Sequence, residues 1–249
     1  MTKRLTIGKV PIDVVTFGEA LAAIDDLVTK GQGGFVFTPN VDHIVNVDQD
    51  PQFAAAYEKA SLSLADGAPV VWASRLLEHR LPEKISGSDL IGPLLELAGR
   101  KKWRVAFIGA APGVAEKAAA IVRERWGTDV VFTEAPMVNL KDEAFISALA
   151  QRVKASKPDL VLLAFGAPKQ EFLAEKLSRE LTAVFLGIGA SLDFIAGTLK
   201  RAPVFMQRFG LEWAYRLAQE PRRLWRRYLI NDPKFLLILA RTIRAERKR

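Results

Sequence analysis

Cysteine is absent from the 249 residues, which excludes disulfides, thiolate metal sites and a cysteine nucleophile. That absence is compatible with a reducing cytosol. Histidine is almost absent as well: His43 and His79 are the only two, so a cage of several imidazoles around a metal is excluded. No run of about 18 apolar residues occurs, so no segment reads as a bilayer-spanning helix. The first ten residues alternate Lys, Arg and Gly with apolar side chains and lack a secretory-signal core. There is no internal repeat and no low-complexity linker. What is present is 49% hydrophobic and 26% charged residues, which sustain a sizeable core. The length allows one α/β domain of roughly 200 residues with an appendage, or two small domains.

The net charge of +8 is unevenly spread. Residues 196–249 hold 14 Lys and Arg against 4 Asp and Glu, whereas residues 1–195 hold 22 against 24. A mildly acidic body (1–195) therefore carries a basic appendage (196–249). In that appendage Phe205, Phe209, Trp213, Tyr215, Trp225 and Tyr228 interleave with the arginines. Aromatic rings and guanidinium groups on helical segments suit a membrane interface, where rings sit at headgroup depth and arginines meet lipid phosphates. Phe235, Leu236, Leu239 and Ile243 then form a helical apolar stripe opposed by Arg241, Arg244 and Arg247. The same pattern also fits a helical extension packed on the body with a solvated basic face. Nucleic-acid binding fits arginines with aromatics too, but no nucleic-acid motif accompanies them.

The body alternates strands with helices. Thr16-Phe17-Gly18-Glu19 is a capping box opening a helix to about Val28. Strands are expected at 34–38, 61–65, 104–108, 129–133, 159–164 and 183–188. Helices are expected at 41–47, 51–60, 70–77, 89–98, 114–126 and 142–154, with another running to Leu177. Apolar, uninterrupted strands separated by helix-length spacers predict a Rossmann-like, mostly parallel sheet with helices on both faces. In such sheets ligands bind at the carboxyl ends of the strands, and that rule selects the residues of interest.

Asp66 ends one strand and precedes a glycine, so its carboxylate suits either of two roles. It can accept a proton from a substrate hydroxyl, or it can cap the next helix. Thr38, Asn40 and Gln170 offer neutral hydrogen bonds for sugar hydroxyls or phosphate oxygens, and equally suit turns. The Gly109-Ala110-Ala111-Pro112-Gly113 loop could present backbone N–H groups to a diphosphate, although it is neither a Walker loop nor GxGxxG. Gly187 to Asp193, with Gly189 and Asp193 as donor-site candidates, is a second glycine-rich strand exit where a ligand can approach the backbone. Asp48-Gln49-Asp50 has the Asp-x-Asp form of a metal site. It follows a helical stretch and runs into Pro51, so it reads as a helix end and turn, and no metal is expected. His43 reads as a half-buried helix residue.

Several ordered segments carry a resemblance: Thr38-Pro39-Asn40-Val41-Asp42, Leu64-Ala65-Asp66-Gly67, Pro82 to Leu90, Phe107-Ile108-Gly109, Phe165 to Glu171, Gly187-Ile188-Gly189-Ala190 and Phe194-Ile195-Ala196-Gly197. In the appendage they are Arg201-Ala202-Pro203, Gly210 to Trp213, Tyr215-Arg216-Leu217, Glu220 to Arg223 and Arg227-Tyr228. Together, over about residues 6–235, they resemble the WecG/TagA/CpsF family of bacterial glycosyltransferases.

The resemblance implies transfer of a hexose or N-acetylhexosamine from a UDP-sugar donor to a polyprenyl-diphosphate-linked acceptor. The reaction would take place at the inner face of the cytoplasmic membrane, with inversion and with no cofactor. It implies Asp66 as general base, Thr38, Asn40, Lys84 and Gln170 around the substrate, and Arg216, Arg223 and Arg226 completing the site from the appendage. The anionic membrane surface is the implied partner, nucleic acid is not, and an exchangeable appendage makes a homo-oligomer conceivable. Lys84 stands where the family often has Arg, losing the bidentate fork. Glu134-Ala135-Pro136-Met137 replaces a Gly-Tyr found in many members, which bears on the donor. Against the enzyme stands a non-catalytic membrane scaffold for polysaccharide assembly. The polar crevice residues argue against it, because a scaffold needs none.

Overall fold

The computed structural model describes residues 3–248, with the side chain of Arg208 left aside. The chain starts with an antiparallel hairpin, β1 (Arg4–Ile7) and β2 (Val10–Asp13), turned at Gly8 with φ 62°. Helix α1 (Phe17–Thr29) follows, and both halves of the Thr16–Glu19 capping box are formed. Next come β3 (Gly34–Phe37), α2 (Val41–Gln49), α3 (Pro51–Glu58), β4 (Leu62–Ser63), α4 (Ala68–Ser74) and α5 (Gly87–Lys101). The second half runs β5 (Arg104–Gly109), α6 (Val114–Trp126), β6 (Asp129–Glu134), α7 (Glu143–Ala155), β7 (Leu160–Ala164), α8 (Lys169–Leu177), β8 (Val184–Gly187) and α9 (Ser191–Ala196).

Strands β3 to β8 form one parallel sheet in the order β4-β3-β8-β7-β5-β6. Its uninterrupted apolar strands feed two cores by alternation. Val105, Phe107, Leu160, Leu162, Val184 and Leu186 face the layer of α1, α5, α6 and α9. Ala106, Ile108, Val161, Leu163 and Phe185 face the layer of α2, α3, α7 and α8. Both faces are covered, so the expected architecture is observed. After β5 the chain moves outward to β6, then crosses back to β7 and continues to β8. This reversal opens a crevice above the carboxyl ends of the central strands.

Two local expectations change. The strand expected at 61–65 is only two residues long by ladder pairing. The chain nonetheless stays extended beside β3, because Leu64 N–H donates to Phe37 O (2.8 Å) and Asp66 N–H to Pro39 O (2.9 Å). Asp66 is thereby carried to the sheet edge next to Asn40. The N-terminal hairpin had no sequence-level expectation at all. Its identity as strands rests on burial of Leu5, Ile7, Val10 and Ile12 against the rest of the fold.

The appendage runs through α10 (Val204–Arg208), α11 (Glu212–Gln219), α12 (Pro221–Arg226), a π-helical turn (Arg227–Asn231), a 3-10 turn (Asp232–Lys234) and α13 (Phe235–Glu246). Helix α13 is anchored in the body: Phe235, Ile238 and Leu239 are buried in the same core as Ile44 and the hairpin. Gly8 N–H donates to Thr242 Oγ1 at 2.9 Å. A Cβ built on Gly8 would lie 2.7 Å from Ile238 Cγ2, so this close approach requires glycine. The apolar stripe read from sequence holds at Phe235 and Leu239, but Leu236 points outward and Ile238 takes the inner position.

Ile238→Ala should lower the urea-unfolding free energy by about 2–4 kcal/mol, the usual range for a buried Ile truncation. A loss under half of that would mean α13 contributes little to the fold.

Candidate functional site

The carboxyl ends of β4, β3, β8 and β7 open into one cavity of about 650 Å³. Its floor is built by Thr38, Asn40, His43, Asp66, Gln170 and the Phe165–Ala167 and Ile188–Ser191 segments. One wall comes from Lys84 and the start of α5, the other from the appendage through Glu212, Trp213, Arg216, Glu220, Arg223, Arg227, Tyr228 and Asp232. A volume of this size suits a nucleotide-sugar-sized ligand.

Asp66 does not cap α4. The N-cap position is Gly67, with φ 92° and no side-chain cap bond. The Asp66 carboxyl makes no hydrogen bond or ion pair with a described side chain and lies half-buried on the cavity floor. Burial raises its pKa to about 6; Lys84 and Arg227 pull it down, while Glu212 and Asp89 push it up. Of the two roles open to it, capping is removed.

Lys84 is held rather than free. Its ammonium lies 2.8 Å from Asp89 and 3.8 Å from Glu212. Arg201 pairs with the same two carboxylates. This four-charge network joins α5 of the body to α11 of the appendage. Burial alone would raise the pKa of Asp89, but hydrogen bonds from Lys84, Arg201 and Ser86 outweigh it and hold the pKa at about 2. Among the described residues Arg216 has no ion pair, Arg223 pairs with Glu220, and Arg227 Nε lies 3.5 Å from Asp42.

The neutral residues are more committed than their sequence suggested. Asn40 Oδ1 caps α2 by accepting from His43 N–H at 3.2 Å. Gln170 is buried; its Nε2 donates to Glu171 Oε1 (2.9 Å) and its Oε1 accepts from Gly189 N–H (3.1 Å). That acceptor consumes the Gly189 amide proposed for a ligand. Thr38 is buried, and its side chain makes no hydrogen bond among the described residues. Asp193 faces the cavity and accepts from Thr198 Oγ1 at 3.1 Å. Glu171 is fully buried, and burial pushes its pKa to about 7 despite the Gln170 amide.

Three donor-site candidates are not brought to the cavity. Gly109, Ala110 and Ala111 end β5, one strand beyond the lining, and Ala110 N–H is bound to Ala164 O at 2.9 Å. Arg226 also lies outside the lining, exposed, with its guanidinium 6.0 Å from the Trp225 ring. Its neighbour Arg227 lines the cavity instead. Adjacent helical residues point about 100° apart, and sequence alone gave no way to choose between the two. Residues 134–137 do not line the cavity either: Glu134 pairs with Arg152, and Met137 is 96% exposed.

Asp48 and Asp50 form a helix end and turn as expected. Asp48 pairs with Arg241, and Asp50 caps α3. No group of three or more His, Asp or Glu placed to hold a metal occurs among the described residues. The sequence reading missed Arg201, Glu212 and Arg227 as site residues. Their signal was present in the Arg201-Ala202-Pro203, Gly210-to-Trp213 and Arg227-Tyr228 matches, which place charge in segments with no strand of their own.

Two comparisons bear on this geometry. The profile of the Glycosyl transferase WecG/TagA/CpsF family matches residues 5–249. A Bacillus spizizenii (strain W23) protein named N-acetylglucosaminyldiphosphoundecaprenol N-acetyl-beta-D-mannosaminyltransferase is similar, with 37% identity over 221 residues, 88% of this chain and 83% of that protein. The chain, with its strand-end carboxyl and cationic wall in one cavity, therefore belongs to the WecG/TagA/CpsF family of glycosyltransferases.

Proposed function

We propose that the protein transfers an N-acetylhexosaminyl group, of the N-acetylmannosaminyl type, from a UDP-sugar to a polyprenyl-diphosphate-linked saccharide, with inversion and without a metal. The observation that carries the reading is the Asp66 carboxyl, without a hydrogen bond or ion pair among the described residues and with a pKa of about 6, sharing one cavity with Lys84, Arg216, Arg223 and Arg227. The acceptor class and the sugar follow the similar mannosaminyltransferase.

In this mechanism the acceptor hydroxyl loses its proton to Asp66 as its oxygen forms a bond to the anomeric carbon. The bond from that carbon to the UDP oxygen breaks on the opposite face, and UDP leaves with the electron pair. Negative charge gathering on the diphosphate is met by the arginines and Lys84 in a partly dehydrated site, where fixed cations act more strongly than in water. Half-burial keeps Asp66 basic enough to accept a proton near neutral pH.

The appendage also carries the proposed membrane face. Trp225, Leu229, Leu236 and Leu237 are exposed beside the appendage arginines, and each basic residue near an anionic surface contributes about 1 kcal/mol. No helix among the described residues is long and apolar enough to cross a membrane. The exposed apolar and cationic side chains support peripheral attachment, which the resemblance implies on the cytoplasmic side.

Asp66→Asn should lower turnover at least about a hundredfold, measured as UDP release with a polyprenyl-diphosphate N-acetylglucosamine acceptor. Its thermal midpoint should not fall, because the amide removes the cost of a buried charge. Near-normal turnover would remove Asp66 from the chemistry. Because the base must be ionised, kcat/KM of the wild type should climb with pH through about 6 and level off above it. A profile flat from pH 5 to 8 would contradict that assignment. EDTA should leave the rate unchanged. Leu229→Glu with Leu237→Glu should abolish co-sedimentation with anionic liposomes while preserving the fold; unchanged sedimentation would move the membrane face elsewhere.

A further inference from the structure

His43 is buried at the cavity floor, at the first turn of α2, in contact with Phe53 and Tyr57. Its Nδ1 lies 2.6 Å from the Tyr57 hydroxyl oxygen. Tyr57 is fully buried, so its hydroxyl proton needs an acceptor inside the protein. The other nearby candidate is Glu171. Its Oε2 has no hydrogen-bond partner, and its Oε1 is engaged by Gln170 and lies 3.8 Å from His43 Nδ1. The sole acceptor for Tyr57 among the described residues is therefore His43 Nδ1. A buried ring that accepts at Nδ1 and stays neutral carries its proton on Nε2.

Neutrality follows from the surroundings. Burial, reinforced by the positive charge of Arg227, pushes the His43 pKa down to about 3. His43 lines the cavity, and its Nε2 makes no hydrogen bond to a described residue. Of the lining residues around it, Thr38, Asn40 and Gln170 are neutral, Arg227 is paired with Asp42, and Lys84, Arg216 and Arg223 stand on the walls. A donor of fixed direction and no charge suits an uncharged oxygen better than a phosphate.

We propose that His43 is a substrate-contacting residue that donates its Nε2 proton to a hydroxyl or acetamido oxygen of the transferred sugar, with Tyr57 as the positioning residue that fixes its tautomer. The inference rests on the glycosyl-transfer reading of the cavity and adds a specificity determinant to it. The step is a hydrogen bond; no covalent bond of His43 changes.

The test uses the full chain and three probes: UDP, UDP-N-acetylmannosamine and UDP-N-acetylglucosamine. Long-range ¹⁵N–¹H NMR of the wild type should show His43 protonated on Nε2, with no titration between about pH 5 and 8. A proton on Nδ1 overturns the proposal. The Nε2–H resonance should move on adding a UDP-sugar and stay in place with UDP. His43→Phe combined with Tyr57→Phe removes both partners, so no buried hydroxyl is left stranded. Its affinity for the preferred UDP-sugar should fall about tenfold, as for a lost hydrogen bond, while affinity for UDP changes less than about twofold. Equal loss for UDP and UDP-sugar, or no loss for either, overturns the sugar contact. Should the double variant not fold, the wild-type resonance decides alone. Wild type that binds a UDP-sugar through His43 but transfers it to no acceptor overturns the transferase reading and leaves the contact standing. Transfer that persists while the His43 resonance ignores the sugar overturns only the contact. Binding of none of the three probes overturns both.

Discussion

Removing a carboxyl from water at the mouth of a parallel sheet costs free energy unless something else compensates, and the rest of this protein is arranged around that cost at Asp66. The extended pairing of residues 64–66 with β3 delivers the carboxyl to the edge of the crevice, and Gly67 turns the chain away without using it as a cap. Two carboxylates, Glu212 and Asp89, raise its proton affinity further, while Lys84 and Arg227 restrain it. Its basicity is thus set jointly by the body and by the appendage. A base on the body alone, with the appendage undocked, would be better hydrated and weaker.

The appendage contributes half the cavity wall and is fixed in two places. At its near end Glu212 and Arg201 interlock with Lys84 and Asp89. At its far end α13 inserts Phe235, Ile238 and Leu239 into the core shared with the N-terminal hairpin. Between these anchors the helices bury little: Leu224 is the only buried hydrophobic of α11 and α12. The weakly packed middle is also where the free arginines and exposed Trp and Leu side chains collect. Exposed apolar groups beside cations fit a surface that is at once aqueous, anionic and oily.

Lys84 illustrates how tertiary contacts change the meaning of a residue. In the family resemblance it stands for a phosphate-binding cation. In the fold it is one of four charges in an ion network, so a diphosphate must compete with Asp89 and Glu212 for it. Arg216, unpaired and on the opposite wall, is the cation most available to an anionic ligand. Gln170 makes the same point for neutral groups. Both ends of its amide are committed, one to Glu171 and one to Gly189, so it shapes the floor where β7 and β8 end.

Local patterning in the sequence determined a good deal. The Thr16 capping box, the apolar strand runs and the helix-length spacers are nearest-neighbour or periodic signals, and each reappears as an element of the structure. The strand-exit rule singled out Asp66, Thr38, Asn40 and Gln170, and all four line the cavity, because the strands of a parallel sheet all end on one side. Tertiary structure alone decided which of these side chains are free and what they face. It left the β5 loop outside the cavity, turned Arg227 rather than Arg226 toward it, and tied α13 to a hairpin some 230 residues away in sequence. Those outcomes depend on distances between segments remote along the chain, and no window of local periodicity contains that information.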